Sequence, residues 1–139
     1  MSWNIEGLSA KLSEPGFMTY ICSFDICSFV ETFTSPSFDF DIYFRNYVVF
    51  HCPAVKLSYQ GRRSGGVITL VKKSLADYVH PLPCYHDNMI VLRFGNIAQV
   101  DFILVSVYIP PVDSHYYRDK EIKCNLYFLE EMLLDIQET

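Results

Sequence analysis

Three stretches of this chain place a polar side chain at the end of an apolar run. Asn4 sits in Ser2-Trp3-Asn4-Ile5-Glu6-Gly7-Leu8. Glu31 follows Asp25-Ile26-Cys27-Ser28-Phe29-Val30 and is itself followed by Thr32-Phe33. Tyr108 follows Val105-Ser106-Val107 and leads into Ile109-Pro110-Pro111. Strand ends are where an α/β scaffold presents polar groups at a crevice. An amide, a carboxylate and a phenol in such places offer oxygen to a ligand. Softer chemistry has less support. His51-Cys52 and His80-Pro81-Leu82-Pro83-Cys84-Tyr85-His86 lack the closely paired C-x₂-C or H-x₃-H units of a zinc site. A Cys–His hydrolase is equally unsupported.

These groups need elements to hold them. Ser2 to Ile5 reads as a short strand, and Leu8 to Tyr20 as a weak helix broken by Pro15-Gly16. Asp25 to Val30 and Val67 to Val71 are short apolar runs that suit buried strands. Phe38 to Phe44 alternates with Asp39 and Asp41, the pattern of a half-buried strand. Tyr47 to Phe50 is a further strand candidate. Tyr59 to Gly66 is a turn-rich basic loop, and Lys72-Lys73 mark a surface turn. Met89 to Phe94 and Gln99 to Tyr108 form a hairpin candidate joined at Gly95-Asn96, and Pro110-Pro111 stops its second strand. Ile122, Leu126, Leu129, Leu133 and Ile136 are spaced as one face of a helix. Strands followed by a helix that must cover a sheet predict a layered α/β sandwich.

Composition sets the bounds. The 139 residues are one domain's worth. Hydrophobic residues make up 50% and charged ones only 19%, below the usual quarter. A small domain has much surface for its volume, so this chain carries more apolar surface than it needs alone. The net charge of −5 argues against a protein that coats nucleic acid by charge. A phosphodiesterase that gathers carboxylates around metal ions can still be acidic overall. No apolar stretch is long enough to span a membrane. The opening Met1-Ser2-Trp3-Asn4 is unlike a signal peptide. Five cysteines in no regular framework read as free, mostly buried thiols in a reducing, intracellular compartment.

The three stretches, in this order, resemble the endonuclease/exonuclease/phosphatase family. They look most like the endonuclease domain of non-LTR, LINE-type retrotransposons. There the first strand carries W-N-x-x-G, the second ends in Q-E-T or a similar triplet, and a later strand ends in Y-x-P. Arg62-Arg63-Ser64-Gly65-Gly66-Val67 is similar to the Gly-rich entry into a strand of the same elements. The resemblance covers nearly the whole chain. It implies an α/β sandwich of that family's type, present as its first half over residues 1–139. It also implies Mg²⁺-dependent phosphodiester hydrolysis, with DNA as substrate and a possible nuclear location. A hard divalent cation takes oxygen ligands, and Mg²⁺ takes only one or two carboxylates. On this resemblance Glu31 is the metal ligand. Asn4 supports the metal or the attacked phosphate. Tyr108 donates its hydroxyl to a phosphate oxygen, and Arg62 and Arg63 contact the DNA backbone.

The departures matter too. The family completes its site with D-x-N, a second Asp and S-D-H, and no D-x-N follows Tyr108 here. Pro111 stands where the family often has Asn, and Val30 precedes Glu31 where it has Gln. A positioned general base contributes ~10²–10⁴-fold, so this chain alone is expected to be inactive. The alternative is a non-catalytic fragment whose sheet edge and helix bind a partner, a downstream reverse-transcriptase region or a second copy. Plainer readings stand beside each site residue. Glu31 can be a solvated strand-end carboxylate, and Asn4 a turn residue ahead of Gly7. Tyr108 can be a core ring with its hydroxyl in water.

Overall fold

The computed structural model describes residues 1–84, 86–117 and 125–137. Its strands form two sheets. The first contains β1 (Ser2–Asn4), β2 (Ile26–Val30), β3 (Tyr47–Cys52) and β4 (Val67–Lys72), in the order β1-β2-β4-β3. β1 runs parallel to β2, and the other neighbours are antiparallel. The second is an antiparallel sheet of β5 (Val79–Pro81), β6 (Met89–Ile97) and β7 (Val100–Val107), in that order.

The two-residue period of a strand decides what each sheet buries. Along β4, Val67 and Val71 point into the gap between the sheets, where they meet Ile90, Leu92 and Phe94 of β6. Ile68 and Leu70 point the other way, onto α1 (Leu8–Leu12) and α2 (Phe17–Ile21). Met89 and Val91, the alternate residues of β6, pack with Met132 of α3 (Asn125–Gln137). The layers are therefore helices, sheet, sheet, helix, the layered α/β sandwich the sequence predicts. A polar bridge crosses the gap: Thr69 Oγ1 donates to Ser106 Oγ at 2.9 Å, so both buried hydroxyls are paired. No helix among the described residues is long and apolar enough to cross a membrane.

Several local expectations need correction. Phe38 to Phe44 is not a strand but a run of turns, in which Phe44 N–H bonds to Phe40 O at 2.9 Å. Phe38, Phe40 and Phe44 all pack onto the α1/α2 core, so their spacing serves a coil over that core rather than a pleat. The hairpin turns at Ala98-Gln99, both at positive φ, because Ile97 pairs with Val100. Gly95-Asn96 forms a bulge instead: two residues of β6 stand opposite Asp101, whose carboxylate accepts the Asn96 N–H at 2.9 Å. On α3 the buried position is Met132, while Leu133 of the expected stripe is 46% exposed. Leu129, Met132 and Ile136 form the inward face, and Leu133 lies one step around the helix. Ile122 and the side chain of Leu126 lie outside the described residues. After Lys72 the chain makes a 3-10 helix, Lys73–Tyr78, and the short strand β5, neither of which the composition announces. The described cysteines are free, but only Cys27 is fully buried and Cys22 is exposed.

The corner after β2 is the most constrained segment. Glu31 and Phe33 take positive φ, 55° and 56°, a region costly for residues with a Cβ. Backbone bonds hold the corner from both sides. Gly7 N–H donates to Glu31 O at 2.8 Å and Leu8 N–H to Thr32 O at 3.0 Å. Thr32 N–H donates to Gly66 O at 3.2 Å and Phe33 N–H to Gly65 O at 3.0 Å. Gly66 has φ 90°, and a Cβ there would stand 2.5 Å from Thr32 Oγ1 and 3.1 Å from Ala54. Behind the corner, Thr32 and Thr34 share a hydrogen bond of 2.9 Å, and Thr34 bonds His51 Nε2 at 2.9 Å.

Two predictions follow from this packing. Gly66→Ala should cost about 1–3 kcal/mol through backbone strain alone, with the contact to Thr32 added, and urea unfolding measures it. An unchanged midpoint would show that the corner yields freely. Burial holds the His51 pKa below its ordinary 6.5. The unfolded chain then takes up the proton first as pH falls, so this contribution is intact above 6.5 and is lost below it. The unfolding free energy should drop between pH 7.5 and 5.5, and the drop should shrink in His51→Gln. An equal drop in both proteins would assign it elsewhere.

Candidate functional site

Glu31 and Tyr108 reach the same place from different sheets. Glu31 leaves β2 at the strained corner, and Tyr108 is the residue after β7. Both line an open cleft of about 930 Å³, together with Phe33, Arg62, Arg63 and Asp113. The Tyr108 ring and the Glu31 carboxylate share this cleft, near enough for the carboxylate charge to act on the phenol. The Tyr108 pKa is driven upward by burial first, and then by the neighbouring Glu31 carboxylate. Tyr108 is therefore a neutral, fully protonated donor at any physiological pH. Its backbone is also fixed, since Tyr108 N–H bonds to Asn88 O at 2.9 Å.

Asn88 ties the whole cleft together. It is buried at positive φ, and its Oδ1 accepts the Gly66 N–H at 2.8 Å while its carbonyl accepts Tyr108. One residue thus links the glycine pair that holds the Glu31 corner to the residue that faces Glu31 across the cleft. Nothing in Asp87-Asn88-Met89 signals this role in the sequence. Phe33 also went unflagged there, and it forms part of the cleft wall.

Asn4 and the arginines are placed differently from one another. Asn4 pairs with Val30 across β1 and β2, so it is one step from Glu31 along the sheet edge. It is exposed, it is not among the residues lining the cleft, and its Oδ1 accepts the Glu6 N–H at 3.2 Å. That bond is the turn-forming contact typical of Asn. Arg62 lies with its guanidinium 4.6 Å from the Phe33 ring centroid, over the cleft wall. Arg63 also lines the cleft, but its Nη1 donates to Ala54 O at 3.1 Å and braces the loop.

The carboxylates lining the cleft, Glu31 and Asp113, are oxygen donors of the kind a hard divalent cation takes. Among the described residues no group of three His, Cys, Asp or Glu is placed to hold an ion. Glu31 is a half-buried carboxylate on an open, polar cleft. A cation held by one carboxylate, water and substrate phosphate has the habit of Mg²⁺. Among the described residues nothing forms a closed zinc cage.

Solved structures share the fold of this chain. The AP endonuclease LMAP from Leishmania major superposes with a TM-score of 0.62 at 15% identity, over 86% of this chain and 44% of that one. The Xenopus laevis APE2 catalytic domain gives 0.60 at 18% identity, over 94% of this chain and 51% of that one. At such identities the likeness speaks for the fold, and this chain spans about half the length of either protein. Comparison with curated protein sequences gives no match. Residues 1–137 match the Endonuclease/Exonuclease/phosphatase family, a range that takes in β1, the Glu31 corner and Tyr108. The chain belongs to the Endonuclease/Exonuclease/phosphatase family.

Proposed function

We propose that this chain forms one wall of a Mg²⁺-dependent DNA endonuclease site of the retrotransposon type, and that this wall alone does not turn over. The observation that carries the reading is that Glu31 and Tyr108, from different sheets, line one cleft that Arg62 overhangs. The family is one of nuclease and phosphodiesterase-type domains whose enzymes generally depend on divalent metals. The description of one similar structure, an AP endonuclease, supports DNA as the substrate class. The ordered W-N-x-x-G, E-T and Y-x-P stretches support the retrotransposon type, and with it a nuclear location.

Each residue then has a task. Glu31 holds the cation, and the strained corner fixes where its carboxylate points. Tyr108 steadies that carboxylate and has a proton to share with a phosphate oxygen. Arg62 offsets phosphate charge at the rim. Asn4, paired with Val30 beside the corner, takes on this resemblance the task of supporting the metal or the phosphate. The bound cation would polarise the phosphate and stabilise the leaving oxygen. The sequence contains neither D-x-N nor S-D-H, the stretches that supply the base and water-orienting groups on this resemblance.

A second reading has its own observation. Val100, Phe102 and Ile103 on β7 are exposed, as are Leu133 and Leu134 on α3. An apolar edge strand of that kind suits a binding fragment that recruits a partner, a reverse-transcriptase region or a second copy.

Mn²⁺-induced line broadening in NMR spectra tests the metal site without activity. It should centre on residues 30–33 and Tyr108 and vanish in Glu31→Ala. Equal broadening in the variant would remove Glu31 as the ligand. Nicking of supercoiled plasmid with Mg²⁺ should not exceed that of Glu31→Ala. Nicking lost in the variant would mean that the chain assembles a working site by itself.

A further inference from the structure

The chain is acidic overall, yet its middle is not. Between Asp41 and Asp77 there is no acidic residue, while Arg45, Lys56, Arg62, Arg63, Lys72 and Lys73 supply six of the eleven cations. Three of these sit on one loop, residues 55–64, beside the cleft. The loop is closed by a reciprocal pair of backbone bonds, Val55 N–H to Ser64 O at 2.9 Å and Ser64 N–H to Val55 O at 2.8 Å. Arg63 braces it against Ala54 O, and Ser58 Oγ accepts the Gly61 N–H at 2.9 Å near its tip. It is a pinned arm with an internal turn.

At the tip stands Tyr59. It is 92% exposed, the most exposed large apolar side chain among the described residues. Lys56 Nζ lies 5.8 Å from its ring centroid, and Arg62 overhangs the cleft from the same loop. Packing does not explain a ring left in water on a braced loop. Cations spaced around an aromatic face are what an unpaired nucleotide requires. The phosphates meet the charges, and the base stacks on the ring. Bases within a duplex already stack on each other, so the ring discriminates for unpaired ones.

We propose that the 55–64 loop is a nucleic-acid arm in which Tyr59 stacks on an unpaired base next to the scissile site, while Lys56 and Arg62 hold the flanking phosphates. This assigns the site a preference for single-stranded or frayed DNA. It rests on the nucleic-acid reading of the cleft, but not on turnover.

Fluorescence anisotropy in EDTA separates the two. The probes are a labelled single-stranded oligonucleotide and a blunt duplex of the same length. The chain should bind the single strand more tightly. Tyr59→Ala should weaken that binding by about fivefold or more and leave duplex binding within twofold, and Tyr59→Phe should behave as the parent. Lys56→Ala and Arg62→Ala should each lower the salt slope on the single strand by roughly 0.7. Equal losses on both probes, no loss on the single strand, or no binding to either would overturn the arm. Loss of Mn²⁺ broadening in Glu31→Ala with no strand preference would sink the arm and spare the cleft. Strand-selective binding without a Glu31 metal site would do the reverse.

Discussion

The backbone corner Glu31-Thr32-Phe33 is the constraint on which the rest of this structure depends. Two residues there sit in left-handed backbone geometry, at a cost on the order of 1–3 kcal/mol each. Such geometry persists only when its surroundings over-determine it. Here four backbone hydrogen bonds do so, two from Gly7 and Leu8 and two to Gly65 and Gly66. The first pair comes from the segment after β1 and the second from the entry into β4. The strands flanking β2 in the sheet therefore meet at the point where Glu31 emerges.

The same corner explains features that look unrelated in the sequence. Gly66 has no room for a Cβ because Thr32 and Ala54 close around it. Thr32 and Thr34 are buried hydroxyls and need partners, which they find in each other and in His51 of β3. Asn88 is buried at positive φ because it must reach Gly66 with its side chain and Tyr108 with its carbonyl. A left-handed turn, a threonine pair and an asparagine thus serve one purpose. They bring a carboxylate from one sheet against a phenol from the other.

Charge follows a similar division of labour. The net charge of −5 would repel a polyanion, but acidic side chains are absent from the stretch that carries the 55–64 loop. The electrostatics that matter at a cleft are local, because screening removes contributions beyond about 8–10 Å in ordinary salt. Arg62, stacked on Phe33, places positive charge where Glu31 and Tyr108 already stand.

Periodicity and residue type were enough to determine much of this protein. The apolar runs over β2, β3 and β4 are legible because a doubly covered strand must be apolar throughout. The polar residues at the ends of apolar runs are legible because a carboxylate and a hydroxyl break runs that are otherwise apolar, even though the Tyr108 ring also packs on the core between the sheets. The Gly65-Gly66 pair is legible as a special backbone site. What tertiary structure alone decided is where the rest falls. Phe38 to Phe44 alternates like a strand, but its rings are claimed by the α1/α2 core. Gly95-Asn96 reads as a turn, but the Asp101 carboxylate captures Asn96 N–H and makes a bulge. Leu133 fits a helical stripe, but the contact with β6 selects Met132. Local pattern fixes which residues want burial or a polar partner. Only the folded chain decides which partner, because that choice is made by contacts between segments far apart in sequence.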